Sequence, residues 1–293
     1  MTKIAIFGTV FSEPNKSYIQ DFFIKLQKEK IKLLVYSEFH AFLDSIGIQL
    51  KNVQLFKTHN ELRNNADFLV SIGGDGTFLN TLGLVRDSDI PVVGINTGRL
   101  GFLSNISKDE IDFAVDEILK GNYTLDKREL LRLETDNKLF GEVNYALNEL
   151  TIHKQDSSSM IITNVYLNNE FLNSYWSDGL IISTPTGSTA YSLSCGGPII
   201  TPGSGNFIIT PVAPHNLNVR PVVLPNNTKI KVSVEGRNER FLVSLDSRSE
   251  TIDSSVNLLI KKEDFGINLI RLHNQDFLTT LRNKLMWGLD KRN

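Results

Sequence analysis

A single cysteine in 293 residues, Cys195, excludes an intrachain disulfide and fits a reducing compartment. No stretch approaches the ~20 consecutive apolar residues of a membrane-spanning helix. Formal net charge is only −2, and no basic run with interleaved aromatics is present, so neither nucleic acid nor a membrane is expected as a partner. The five histidines, His40, His59, His153, His215 and His273, show no i,i+4 pairing, and with one cysteine besides they give a zinc site little support. Linkers rich in proline, glycine or serine are missing, as are repeats of useful length. Met1-Thr2-Lys3 leads straight into Ile4-Ala5-Ile6-Phe7-Gly8, too short an apolar run for a signal peptide and better read as a first strand, so the expected location is the cytoplasm. What is there is ordinary for a chain with a sizeable core: 41% hydrophobic and 22% charged residues.

The chain is organised around residues 67–79, DFLVSIGGDGTFL. Phe68, Leu69, Val70 and Ile72 form a short apolar run that breaks at Gly73-Gly74, and helix-compatible residues resume at Thr77. Buried strand, tight glycine turn and helix start make the plan of a phosphate site, because glycines let backbone N–H groups approach an anion and the helix N-terminus adds partial positive charge. Asp75 does not fit a site that only binds phosphate. Its carboxylate would repel the ligand unless it holds a metal ion or takes a proton, the two tasks of an acid in phosphoryl transfer. The competing reading makes Asp75 a helix cap and the glycines a tight turn only.

Residues 4–7, 33–36 and 91–95 read as further strands, and 15–28 as an amphipathic helix on Tyr18, Ile19, Phe22, Phe23 and Leu26. Ser37 is expected to cap a helix carrying Phe39, Phe42 and Leu43. Strands alternating with helices imply a parallel, doubly wound sheet whose ligands sit beyond the carboxyl ends of the strands, where the glycine turn lies. A second such turn, Asn96-Thr97-Gly98-Arg99-Leu100-Gly101-Phe102-Leu103, offers Arg99 either to phosphate or to solvent. Ser107-Lys108-Asp109-Glu110 forms a capping box and Gly121 a helix stop.

From about Tyr123 the period switches to alternation, which predicts a mostly antiparallel β domain. Hairpins are expected at Asn168-Asn169 and at Gly236-Arg237-Asn238. Phe277, Leu281 and Leu285 in the tail from Asn274 predict a short helix returning to the first domain. The expected division is 1–125 joined by 268–293, and 126–267. Two constellations here look chemical. Asn148-Glu149 sits in a strand-like run over 143–152, where adjacent side chains take opposite faces and one should meet a cleft; an ordinary polar edge pair is the alternative. The stretch Asp178-Gly179-Leu180-Ile181-Ile182-Ser183-Thr184-Pro185-Thr186-Gly187-Ser188-Thr189-Ala190-Tyr191 runs from a buried strand into a hydroxyl-rich loop. Such a loop suits a sugar or phosphate, with Tyr191 offering an aromatic face.

Gly73-Gly74-Asp75-Gly76-Thr77 resembles the signature shared by NAD kinases, diacylglycerol and sphingosine kinases and, more loosely, phosphofructokinases. Taken with the Asn-Thr-Gly-Arg-Leu-Gly-Phe-Leu segment, the Asn148-Glu149 pair and the Asp178 to Tyr191 stretch, in that order, nearly the whole chain resembles the NAD kinase family. The resemblance implies an α/β N-terminal domain with a parallel doubly wound sheet, an all-β, sandwich-like C-terminal domain, and a terminal segment returning to the first. It implies transfer of the γ-phosphoryl group of ATP to the 2′-hydroxyl of the adenosine ribose of NAD, giving NADP, with Mg²⁺ or another divalent cation. Asp75 would be the catalytic acid group. Gly76, Asn148, Glu149, Asp178, Thr189, Ala190, Tyr191, Ser194, Ala213 and Asp246 would bind NAD, with weaker support for Arg220. Gly73, Gly74, Thr77 and Arg99 would form the phosphate loop, and the metal ligands are not specified. A homotetramer or homodimer is also implied. Trp176-Ser177 before Asp178, and Cys195 where alanine is frequent, depart from the family pattern without removing a group the chemistry needs. A lipid kinase sharing GGDGT, and a dinucleotide-binding regulator that kept the pocket but lost catalysis, are the competing classes.

Overall fold

The structure, a computed structural model, describes residues 1–98, 100–155, 159–237, 240–273 and 275–287. The chain divides into two compact units, Met1–Lys127 with Ile267–Asn293, and Arg128–Gly266.

The first unit alternates strands and helices: β1 (Thr2–Gly8), α1 (Lys16–Lys28), β2 (Ile31–Tyr36), α2 (Ser37–Ser45), β3 (Gln54–Phe56), α3 (His59–Leu62), β4 (Phe68–Ile72), α4 (Asp75–Asn80), α5 (Leu82–Val85), β5 (Val92–Ile95) and α6 (Ile111–Lys120). The strands are parallel in the order β3-β2-β1-β4-β5, with Ile4 opposite both Leu33 and Phe68. The end of the last strand, Leu258–Leu272, lies parallel to β5 through Leu269 and Val92. Strands buried on both faces read as continuous apolar runs, which is why β4 is buried from Phe68 to Ile72. On one face Ile4, Ile6, Val35, Val70 and Val93 pack against Ile19, Phe22, Phe23 and Leu26 of α1 and Ile111, Ala114 and Ile118 of α6.

The expected capping box forms: Ser107 N and Oγ both donate to Glu110 Oε2, at 3.1 and 2.7 Å. Gly121 ends α6 in the left-handed region at φ 78°. Ser37 differs from expectation. It is the first residue of α2, and its hydroxyl donates to Phe56 O at 3.2 Å, tying α2 to β3 rather than capping the helix. Asp276 caps the C-terminal helix Phe277–Leu285 by accepting from Thr279 N at 2.7 Å; Asn274 lies outside the described residues.

The second unit is antiparallel β: β6 (Tyr123–Glu134), β7 (Tyr145–Ala146), β8 (Glu149–Lys154), β9 (Ile161–Leu167), β10 (Glu170–Ser177), β11 (Gly179–Ser183), α7 (Tyr191–Ser194), β12 (Asn206–Val212), β13 (Val222–Pro225), β14 (Ile230–Glu235), β15 (Phe241–Leu245), β16 (Arg248–Ile252) and β17 (Leu258–Leu272). One sheet runs β10-β9-β14-β17, with β6 and β7 beside it; the other runs β13-β12-β11-β8-β15-β16. Alternate residues of both, such as Val165, Ile230 and Val232 from one and Leu150, Ile182 and Val243 from the other, share one core, as in a sandwich. Asn168 and Asn169, at φ 50° and 72°, make the expected two-residue hairpin between β9 and β10.

The hairpin expected at Gly236-Arg237-Asn238 does not form. β14 pairs with β9 and β17 in one sheet, while β15 pairs with β8 and β16 in the other. Both sheets of a sandwich show the same alternation, so periodicity cannot tell a hairpin from a crossing between sheets. Asn238 itself lies outside the described residues.

Candidate active site

In the first unit the glycine turn leaves β4 and enters α4 at once. Gly73 has φ 154°, and a Cβ there would lie 2.2 Å from Thr77 Oγ1, so only glycine fits. Around Gly74 and Gly76 a Cβ would meet nothing within 4 Å, so the outer side of the turn is open to a ligand. Thr77 Oγ1 bonds Thr9 Oγ1 at 3.0 Å, joining the turn to the end of β1. Asp75 is the first residue of α4 and does not act as its N-cap, which is Gly74.

The Asp75 carboxylate instead gathers the second glycine turn. Oδ1 accepts from Leu103 N at 3.1 Å and Ser104 N at 2.9 Å, and Oδ2 from Phe102 N at 2.8 Å. A carboxylate has about four lone-pair positions, so one on Oδ2 stays open. A Cβ at Gly101 would lie 1.8 Å from Asp75 Oδ1, which makes that glycine a condition of the arrangement. Asn96 completes the loop, accepting from Gly98 N at 2.6 Å and donating to Ser104 O at 3.2 Å. Arg99 lies outside the described residues.

In the second unit Asp246 repeats the device. It occupies a two-residue turn between Leu245 and Arg248 at φ 51°, a conformation aspartate tolerates. Its Oδ2 accepts from Leu147 N at 2.9 Å, and its Oδ1 from Asn148 N at 2.8 Å and Glu149 N at 3.2 Å. These bonds take three N–H groups from the ladder, so the strand-like run expected over 143–152 breaks into β7 and β8. Asn148 therefore sits in a bend rather than back to back with Glu149 in one strand. Burial pushes the Asp246 carboxyl up, against the opposing pull of the three N–H groups and Arg248. Arg248 itself donates to the carbonyls of Val143 and Tyr145.

Glu149 opens β8 with its side chain buried, 9% exposed. Burial, then the neighbouring charge of Asp246, pushes its pKa up to about 8. Its Oε2 has no hydrogen-bond partner among the described residues, and neither has the hydroxyl of Ser183, the residue directly opposite on β11. Two unmet polar groups thus stand side by side on the sheet face away from the apolar core. Buried polar atoms are nearly always paired, so these two are free to bond a water or a ligand.

The hydroxyl-rich stretch is stitched to this segment. Thr184 N donates to Asn148 O at 2.9 Å and Thr184 Oγ1 to Leu147 O at 2.5 Å. Gly187 comes so close that a Cβ would lie 2.1 Å from Asn148 O. Thr189 Oγ1 donates to Thr186 O at 3.2 Å, Ala190 N to Gly187 O at 2.9 Å, and Ser194 ends α7 exposed. The Tyr191 ring lies tilted, 5.6 Å from that of His153, whose pKa burial lowers. Asp178 pairs with Lys154 at 2.6 Å, and its N–H donates to Val212 O at 3.0 Å, which sets Ala213, at φ 44°, beside it. Arg220 is exposed and bonds only carbonyls of its own loop, those of Leu217 and Val219.

Sequence reasoning named Ser183 only within the hydroxyl-rich stretch and missed Arg248 and the N–H groups of residues 102–104. Of these only the last carried a signal, the Gly101-Phe102-Leu103 string itself. No group of three or more His, Cys, Asp or Glu side chains that could hold a metal occurs among the described residues.

An α/β unit with an acid set in a glycine turn, and a β sandwich with two unmet polar groups beside a hydroxyl-rich loop, are the parts of a two-domain phosphotransferase. Residues 22–123 match the ATP-NAD kinase N-terminal domain and residues 147–271 the ATP-NAD kinase C-terminal domain. The chain is 50% identical over 289 residues to an NAD kinase of Cytophaga hutchinsonii, covering 99% of each, and 46% identical over 293 residues to one of Flavobacterium johnsoniae, covering 99% of this chain and all of that one. Its fold matches the crystal structure of yeast NADH kinase complexed with NADH at TM-score 0.86 and 21% identity, over 99% of this chain and 89% of that one. It also matches an NAD kinase from Archaeoglobus fulgidus in complex with ATP at TM-score 0.73 and 24% identity, over 97% and 99%. The chain belongs to the NAD kinase family.

Proposed function

We infer that this chain transfers the γ-phosphoryl group of ATP to the 2′-hydroxyl of the adenosine ribose of NAD, giving NADP. The observation that carries the reading is the pair Glu149 Oε2 and Ser183 Oγ, unmet beneath a hydroxyl loop, in a chain whose full-length relatives are NAD kinases. Asn148 and Glu149 are assigned to the ribose and nicotinamide end of NAD, and Asp178 to fixing the substrate. Thr189, Ala190, Tyr191, Ser194 and Ala213 are assigned to lining the dinucleotide pocket. With its pKa near 8, Glu149 is mostly protonated at neutral pH and can donate a hydrogen bond to a sugar or amide oxygen.

Asp75 is assigned to the reacting hydroxyl. Its open lone pair on Oδ2 can accept the hydroxyl hydrogen, while the three N–H donors fix the carboxylate in place. Gly74, Gly76 and Thr77 are assigned to the phosphates of the donor; Gly73 makes the turn possible. Phosphoryl transfer draws mainly on positioning and charge neutralisation, with a general-base contribution of roughly 10²–10⁴-fold. With Asp75 as the one carboxylate in the glycine turn, the donor set fits a divalent cation held chiefly by the nucleotide's own phosphates. Mg²⁺ bound in that way would neutralise phosphate charge. A cytoplasmic homotetramer or homodimer belongs to the same reading; no helix among the described residues is long and apolar enough to cross a membrane.

The test is an end-point assay of the purified protein with NAD, ATP and Mg²⁺, reading NADP through an NADP-specific dehydrogenase. NADP formation is expected. No NADP with NAD binding intact would point to another donor or to a non-catalytic binder, and no NAD binding would overturn the assignment of the acceptor.

A further inference from the structure

The loop 96–106 supplies the three N–H groups that hold Asp75, so whatever fixes that loop fixes the carboxylate. Its ends meet: Asn96 N donates to Ile106 O at 2.8 Å and Ile106 N to Gly94 O at 3.2 Å, which closes a compact loop at the end of β5. Its first limb is braced from the segment before α1, where Asn15 Nδ2 donates to Thr97 O at 2.7 Å. Its second limb, which carries the donors, is braced from the C-terminal segment of the same unit. There the Phe277 ring lies 6.5 Å from that of Phe102, and Gln275 Nε2 makes a long bond of 3.4 Å to Asn105 O. Phe102 and Asn105 stand on either side of Leu103 and Ser104, both of which are buried.

The C-terminal segment holds its two bracing side chains in a fixed place. Gln275 N donates to Leu272 O at 3.0 Å as the chain leaves β17, Asp276 caps the helix Phe277–Leu285, and Leu281, one turn beyond Phe277, is buried. Gln275 and Phe277 thus flank a made cap. Gln275 Oε1 is buried as well, so this side chain is closed off from solvent where it meets the loop. Of the three donors, Phe102 N bonds Oδ2 of Asp75 at 2.8 Å, and Oδ2 is the oxygen with the open lone pair. The residue whose backbone orients the working oxygen is therefore the one whose ring meets Phe277. We propose that Phe277 and Gln275 are positioning residues for phosphoryl transfer, acting through Phe102 and Asn105 on the Asp75 carboxylate, a reading that rests on the assignment of Asp75 to the reacting hydroxyl. Side chains remote from the chemistry matter in this way because a displacement of ~1 Å at a reacting group costs on the order of 10²-fold in rate.

Phe277→Ala supplies the test. It is expected to lower kcat about tenfold, with the KM for NAD and for ATP each within about twofold, because only the orientation of the base is lost. Phe277→Leu keeps an apolar side chain against Phe102 and is expected to recover most of that loss. In an Asp75→Asn background Phe277→Ala should cost less than about twofold in kcat, since two changes acting through one group are not additive. A kcat unchanged by Phe277→Ala overturns the proposal, and so does an equal loss in both backgrounds, which would mark a merely structural contact. If Phe277→Ala folds poorly, Gln275→Ala takes its place with the same expected division between kcat and KM, and an unchanged kcat there overturns the proposal equally. Amide hydrogen exchange gives a readout independent of activity: exchange at Phe102, Leu103 and Ser104 is expected to quicken in Phe277→Ala while that of β2 stays as in the wild type. Unchanged exchange at those three amides overturns the brace. Absence of NADP from the wild type strikes the kinase reading itself, and the exchange measurement then decides whether the C-terminal segment holds the loop.

Discussion

Asp75 and Asp246 sit in different units, one at the start of a helix and the other in a β turn, yet each gathers three consecutive backbone N–H groups: those of residues 102–104 and 147–149. Glu149, by contrast, is buried with one oxygen unmet. The difference separates carboxylates that organise a loop from one that waits for a partner. Asp75 is asked to do both, since it holds the second glycine turn and keeps one lone pair open.

The sharpest break of that comparison is Asp75→Asn. The amide keeps an oxygen for Leu103 and Ser104 but cannot act as a base, so kcat is expected to fall about 10²–10⁴-fold with NAD affinity retained, as read by steady-state kinetics and calorimetry. If activity survives, Asp75 is a clamp like Asp246 and nothing more. Gly101→Ala sharpens the point, because its Cβ displaces the Asp75 carboxylate without removing the charge; a comparable loss is expected.

Asp246→Ala should come next in size. Three N–H groups of the Asn148-Glu149 segment lose their acceptor, each unmet group costing about 1–3 kcal/mol if it stays buried. The KM for NAD is expected to rise tenfold or more while that for ATP moves less than twofold. Equal loss for both substrates, tracking a fall in melting temperature, would mean a general loss of folding instead.

The smallest effect is a pH dependence at Glu149. Its folded-state pKa, about 8, lies above the ordinary 4.5, so the folded protein holds the extra proton between those values. The stability linked to that proton is complete below about pH 4.5 and is lost as pH rises through about 8. Glu149→Gln removes the linkage. Its melting temperature should therefore gain on the wild type between pH 5 and 8.5 and level off above. A gap that does not vary with pH would show Glu149 titrating in the usual carboxylate range.

Much of this was readable from residues alone where the determining contacts are local. The strand, glycine turn and helix at 68–80, the Ser107 to Glu110 box and the Asn168-Asn169 hairpin are each settled within a few positions by period, capping chemistry or tolerance of positive φ. The false hairpin at 236–238 and the missed cap at Ser37 fail for the opposite reason, because their partners come from elsewhere: β8 for β15, and Phe56 for Ser37. At the candidate site, Asp75 and Glu149 stood out as residue types in a pattern. Their surroundings did not, because the place of Ser183 opposite Glu149 and of the N–H groups of residues 102–104 around Asp75 is fixed only once strand register and loop closure are known.

The last strand bears on how the protein is made. Among the described residues Val92 of β5 pairs on its outer side with Leu269, while Ile95 at the other end of the strand is bridged by Ile106. At a ribosomal pace of ~5–20 residues per second, Leu269 follows β5 by roughly ten to thirty seconds. The α/β unit, though it begins first, is therefore completed last.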